Sequence, residues 1–449
     1  IPHEAYYGIQ TLRALENFHI TGVPISHYPT LIEALASVKM AAAKANRDLN
    51  LIPINVAEAL VQSCHEILQG RLRSHFVVDM LQGGAGTSTN MNANEVIANR
   101  ALEIMGYEKG EYTYCHPNNH VNCSQSTNDA YPTALKIAIL KSNRKLIRAL
   151  EKCIASFQGK ARQFDHIIKM GRTQLQDAVP MTLGQEFAAY AVTLSEEIER
   201  LEQNAHLFLE VNMGGTAIGT GLNTVKGYRE SVIKYLREIT GFEIVSAPDL
   251  IEATQDTGAF LMFSSSLKRL ATKLSKICND LRLLSSGPRA GLNEINLPKA
   301  QPGSSIMPGK VNPVIPEVVN QIAFKVIGND LTVTLAAEAG QLELNVMEPV
   351  IAQSIFESIE MLRRGITTLK FRCIDGIEAN EAQCKEFVQK SIGVVTALVP
   401  VLGYETCSEL AKQALELNRG IYELVLERGI LSREELDRIL DPRNMLSPA

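Results

Sequence analysis

Apolar residues recur at intervals of three and four along the middle of the chain, a spacing that puts them on one face of an α-helix. From Phe260 they run Phe260, Phe263, Leu267, Leu270, Leu274, Ile277, Leu281 and Leu284, a seam of more than three heptads. An earlier seam runs Leu183, Phe187, Ala191, Leu194, Ile198, Leu201, Ala205 and Phe208. Pro180 and Pro248 bracket it, no proline falls inside, and Thr182-x-x-Gln185 reads as its opening capping box. A third run starts after Pro132 with Leu135, Ile139, Leu146, Leu150, Cys153 and Phe157 on one face. A fourth follows Pro316 through Val319, Ile322 and Val326, interrupted at Gly328-Asn329. Helices of about 26 residues are roughly 40 Å long, and their apolar faces need partner helices. The pattern therefore predicts a mainly all-α chain built on a long-helix bundle, with part of the seam shared between subunits.

Outside the bundle, Thr30–Leu49 and Val56–Leu68 read as helices among glycine-rich loops, and strand signals are few and short. Near the C-terminus, Ser408–Glu427 and Ser432–Leu440 read as short helices, the second opened by a Ser432-x-x-Glu435 capping box. Three domains are expected: a mostly helical N-terminal one over 1–124, the central bundle over 125–381, and a small helical C-terminal one over 382–449.

The chain has 449 residues, 45% hydrophobic and 21% charged, the balance of a globular protein rather than a disordered or fibrous one. Its formal net charge is −5, which builds no basic field for nucleic acid or an anionic membrane. The apolar stretch around Val394–Gly403 is short and broken by Pro400, so no membrane span is expected. The first residue is Ile1 rather than Met, and no signal-peptide pattern follows it. Cys64, Cys115, Cys123, Cys153, Cys278, Cys373, Cys384 and Cys407 form no CxxC pair and read as separate thiols in a reducing, cytoplasmic setting. All nine histidines lie at or before His206, and no His/Cys spacing suggests a metal site.

Four segments of small polar residues interrupt the helical pattern: Gly83–Asn90, Ser124–Asp129, Gly171–Asp177 and Gly303–Pro313. Each precedes a helix. Glycine lets the backbone approach a ligand, and Ser, Thr and Asn add donors beside the free N–H groups of a helix start, a combination suited to anions. Four such loops, one containing Lys310, point to a polyanionic or dicarboxylate ligand. There is no GxSxG, no histidine after Ser304 and no GxxxxGK[ST], so a serine-hydrolase triad and a phosphate-cradling loop are both excluded. Gly214–Gly221 is glycine-rich but follows a long helix, and reads as a tight bend rather than a dinucleotide site.

The segment Gly303-Ser304-Ser305-Ile306-Met307-Pro308-Gly309-Lys310-Val311-Asn312-Pro313 resembles the signature of the fumarase/aspartase superfamily. Gly83–Asn92, Ser124–Thr133, Gly171–Gln185, Gly214–Thr224 and Gly287–Pro298 match the same branch in order, over nearly the whole chain. Thr127, Gln174, Ala290–Pro298 and Asn312–Val318 resemble its ammonia-eliminating members more than its hydratases. The resemblance implies the elimination of ammonia from L-aspartate to give fumarate, by a homotetramer whose active sites each draw on three subunits around the central bundle. It implies Ser304 as the base, with Thr87, Ser126, Thr127 and Ser305 around the substrate carboxylate that gains charge. Lys310, Asn312 and Thr173 would hold the other carboxylate, Asn128 would contact the amino group, and Gln174 stands where hydratases have histidine. No cofactor is required for the chemistry; activation by a divalent cation such as magnesium fits the family, with no site assigned. A fumarate hydratase and a non-catalytic helical scaffold of the same fold remain as alternatives.

Overall fold

A computed structural model describes residues 1–441 and 444. The Phe260 seam lies on helix Gly258–Leu284, and all eight of its apolar positions are buried. The earlier seam lies on Leu183–His206 and the turn after it, buried at every position but the partly covered Ile198. Both seams are thus covered within the chain, and the apolar surface left over lies on other faces.

Helix Thr127–Gln163 begins five residues before Pro132, where the sequence placed its start. A proline at that point removes the N–H that would reach the carbonyl of Asn128. The Asn212 side-chain amide donates to that carbonyl instead, at 2.9 Å, so the helix tolerates its proline. Helix Val314–Glu338 likewise runs straight through Gly328-Asn329. Asn329 is buried there, its amide donating to the Ser354 carbonyl and the Ser358 hydroxyl. A fifth long helix, Glu348–Arg372, escaped the periodicity reading. The Ser408–Glu427 segment is two helices, Tyr404–Leu417 and Ile421–Glu427, parted by Asn418 in the left-handed region at φ 49°.

The chain packs as two compact units, each taking three separate stretches. The first comprises Ile1–Arg148, Glu197–Ala271 and Ala323–Arg363. Its helix Pro29–Asp48 buries Ala34, Ala41, Ala42 and Ala45, small side chains that let Ile54–Leu68 and Tyr228–Thr240 come close. The second unit comprises Ala149–Glu196, Thr272–Ile322 and the described residues from Arg364 onward. There, strand Ile168–Thr173 pairs antiparallel with Gln176–Thr182, and both capping boxes form. The C-terminal helices build a small core of Leu398, Leu410, Val425 and Leu436 over Met170.

Candidate functional site

The candidate residues fall into two groups. Thr87, Ser126, Thr127 and Asn128 belong to the first unit; Thr173, Gln174, Ser304, Ser305, Lys310 and Asn312 belong to the second.

In the first unit, Thr87 opens helix Thr87–Ile104 behind Gly86, whose φ is 92°. A Cβ on Gly86 would lie 2.3 Å from the Tyr131 ring, so only glycine lets this helix start seat against the first turns of Thr127–Gln163. Thr87 is exposed and its hydroxyl donates to the Gly84 carbonyl at 2.7 Å. Ser126 and Asn128 are half-buried and Thr127 is buried; the Ser126 hydroxyl accepts from the Asn128 N–H at 3.2 Å. The Asn128 side-chain amide donates to the Ala217 carbonyl at 2.8 Å, which brings the glycine-rich bend to these residues.

Two buried charges hold the group together, and neither was legible as functional in the sequence. The Lys39 ammonium donates to the side-chain oxygens of Asn90 (2.6 Å), Asn122 (3.0 Å) and Gln125 (2.9 Å). It therefore ties the helix of Thr87 to the segment entering Ser126. Burial lowers its pKa to about 7, against the opposing pull of Asp129 and Cys64. Asp129 accepts from the N–H of Ser126 at 2.9 Å and of Gly214 and Thr216 at 3.0 Å. Burial pushes its carboxyl up to about 6, even against these backbone donors and Lys39.

In the second unit, Thr173 and Gln174 sit at the tip of the Ile168–Thr182 hairpin. Gln174 and Leu175 are both left-handed, at φ 52° and 62°, as a two-residue turn between twisted strands requires. Neither is the Asn or Gly such turns favour, so the hairpin went unread in the sequence. Among the described residues the exposed tip makes no hydrogen bond to the Ser304 loop.

That loop is pinned at its neck. The Gly303 N–H donates to the Lys310 carbonyl at 2.9 Å, and the Asn312 amide donates to the Gly303 carbonyl at 2.7 Å. A Cβ on Gly303 would meet the Lys310 carbonyl at 2.6 Å, so the neck admits glycine only. Together with the segment before the neck, the loop borders an open cleft of ≈ 400 Å³ lined by Gln301, Ser304, Met307 and Lys310. The Ser304 hydroxyl oxygen accepts from the N–H groups of Ile306 (3.2 Å) and Met307 (3.1 Å), while Ser305 and Lys310 are exposed. Two N–H groups aimed at one hydroxyl oxygen cap a turn, and equally favour its anion.

Behind Thr173, Lys169 reaches Glu186 at 2.6 Å and Glu294 at 2.9 Å, and Arg172 reaches Glu294 at 2.7 Å. Burial works to lower the Lys169 pKa, but the two carboxylates override it and hold it above the ordinary lysine value. Among the described residues no group of three or more His, Cys, Asp and Glu side chains could hold a metal ion. No described helix is long and apolar enough to cross a membrane.

The long helices and the polar residues on the loops that interrupt them fit the class of protein that the family comparison gives, a lyase. The lyase family model matches residues 1–328 and the fumarase C C-terminus model matches 394–447; the chain belongs to the fumarase/aspartase superfamily. Aspartate ammonia-lyase from Pseudomonas canavaninivorans is 60% identical over 449 residues, covering 100% of this chain and 95% of that protein. Aspartate ammonia-lyase from Escherichia coli is 57% identical over 450 residues, covering 100% and 94%. The crystal structure of a fumarate lyase:delta crystallin from Brucella melitensis bound to cobalt is 56% identical, covers 100% and 97%, and superposes with a TM-score of 0.97.

Proposed function

We propose that this chain catalyses the reversible elimination of ammonia from L-aspartate to give fumarate, the activity named for its full-length relatives. Identity of 57–60% to aspartate ammonia-lyases across the whole chain carries the reading.

The difficult step is removing a Cβ proton beside a carboxylate that is already charged. Ser304 is the base in this reading. Its oxygen takes the proton as the Cβ–H electrons move into an aci-carboxylate; these then form the double bond as the Cα–N bond breaks and ammonia leaves. A serine with its ordinary acidity fails at this, and the Ile306 and Met307 N–H groups already facing its oxygen are the donors that would stabilise the alkoxide. Thr87, Ser126, Thr127 and Ser305 would surround the carboxylate that gains charge. Lys310, Asn312 and Thr173 would hold the α-carboxylate and Asn128 the amino group. Gln174 cannot titrate, which suits a leaving group that departs as ammonia better than one that needs protonation as hydroxide.

The active enzyme would be a homotetramer with each site assembled from three subunits. Helix Val314–Glu338 supports an assembly, because Phe324 (64% exposed), Leu331 (60%) and Leu335 (61%) leave an apolar stripe uncovered. A cytoplasmic location fits the eight free cysteines. Divalent-cation activation stays part of the proposal without a ligand set.

The test is absorbance in the fumarate band after mixing the purified protein with L-aspartate, and separately with L-malate. A signal from aspartate alone is expected. A signal from malate alone would make the chain a hydratase, and silence in both from a verified tetramer would favour a scaffold.

A further inference from the structure

Lys169 and Arg172 stand three positions apart on one strand, which on a flat strand would send their side chains to opposite faces. Both nevertheless reach the same carboxylate, that of Glu294. A register shift lies between them. Pairing is regular from Ile168 opposite Thr182 to Met170 opposite Pro180, then slips by one so that Arg172 faces Asp177. An extra residue on the partner strand bends and twists a hairpin at such a point. Gly171 makes room for it, since a Cβ there would lie 2.8 Å from the Val179 carbonyl.

Glu294 is a fixed point. It is wholly buried, its N–H donates to the Leu284 carbonyl at 2.9 Å, and its carbonyl accepts from the Asn380 N–H at 2.8 Å. Arg172 is held between this carboxylate and the Phe387 ring, 5.4 Å from its centroid. Thr173 follows at once, and then the strained, exposed turn at Gln174 and Leu175. In the other direction, strand Ile295–Asn296 and six further residues separate Glu294 from the neck of the Ser304 loop at Gly303. A buried ion cluster adds little stability over an apolar one of equal volume, but removing one partner leaves an uncompensated buried charge that the surrounding groups must move to accommodate.

We infer that Glu294 is a positioning residue: its carboxylate clamps Arg172, and through it the Thr173–Gln174 turn, to the point from which the Ser304 loop departs. The inference rests on Thr173 contacting the substrate's α-carboxylate, and it assigns the cluster a role in substrate binding rather than in the proton transfer.

The test compares Glu294→Gln and Arg172→Lys in the intact protein with Glu197→Gln, which alters another wholly buried carboxylate paired with an arginine, Arg269. Displacing the turn by a fraction of an ångström should raise KM for L-aspartate by roughly tenfold in Glu294→Gln. Loss of a contact made equally in ground and transition states leaves kcat within about threefold. Amide hydrogen exchange over residues 171–176 should quicken in Glu294→Gln and, less, in Arg172→Lys, while Glu197→Gln lowers only the melting temperature. A folded Glu294→Gln protein with wild-type KM and wild-type exchange overturns the inference. Should Glu294→Gln fail to fold, Arg172→Lys decides by the same two readouts. If the wild-type protein turns over no aspartate, the proposed function falls, and exchange over 171–176 alone still decides whether Glu294 holds the turn.

Discussion

At the scale of single residues, the proposed chemistry rests on the Ser304 hydroxyl, whose oxygen faces two N–H groups of its own loop. Ser304→Ala should lower kcat for L-aspartate by about 10²–10⁴-fold, the usual contribution of a general base, with the melting temperature unchanged because the side chain is only half-buried. Fumarate absorbance and a thermal melt read both. Glu348 offers a separate test of burial. Desolvation pushes its carboxyl up to about 8, only partly offset by Lys136, and its Oε2 has no hydrogen-bond partner. Its pKa is raised on folding, so its stabilising contribution is full below the unfolded value of 4.5 and is lost as pH rises through 8. Glu348→Gln imitates the protonated form. It should raise the thermal midpoint at pH 9 by about 2 °C and change it little near pH 5, in paired melts of both proteins. An equal shift at both pH values would show that charge is not the cause. Ser304 and Lys310 stand out as candidates in the sequence because a contiguous motif carries them. Lys39, Asp129 and Glu294 do not, since each looks like an ordinary charged residue until the fold buries it.

At the scale of elements, periodicity located helices well and their ends less well. The run after Pro132 shows why. Proline is a sound stop signal when only the chain is considered, but the amide that satisfies the Asn128 carbonyl comes from Asn212, 84 residues away. Asn212→Ala removes that donor and leaves a half-buried carbonyl without its partner, a loss of about 1 kcal/mol. It should lower the denaturation midpoint and raise KM, because Asn128 is the residue whose backbone is released; urea unfolding and initial rates measure the two effects. Capping boxes behaved differently. Thr182 with Gln185 and Ser432 with Glu435 were both readable and both form, because their partners lie within one turn. The hairpin bearing Thr173 and Gln174 was missed for the opposite reason: its turn residues, Gln174 and Leu175, take left-handed conformations that only their setting enforces.

At the scale of the whole molecule, the buried seams account for the fold, and the exposed stripe on Val314–Glu338 is the surface on which the proposed assembly is tested. Leu331→Glu with Leu335→Glu places two charges on apolar surface that is open in the single chain, so the subunit should still fold. Sedimentation velocity should then show dissociation, and turnover should fall with it if each site draws on several subunits. A fully active dissociated protein would refute the composite site. Intact association with normal activity would place the interface elsewhere.

By itself the sequence determined the class of fold, the positions of most helices, the loops that carry polar residues, and the signature around Ser304. These are local properties: a 3.6-residue period, a cap three residues away, a glycine where the backbone turns. Tertiary structure decided which of those residues act together. It set Lys39 against Asn90 and Gln125, 35 residues apart in the chain, and turned Lys169 and Arg172 toward one carboxylate more than 120 residues away. Those choices depend on burial and on charges meeting across long separations, and neither can be read from spacing along the chain.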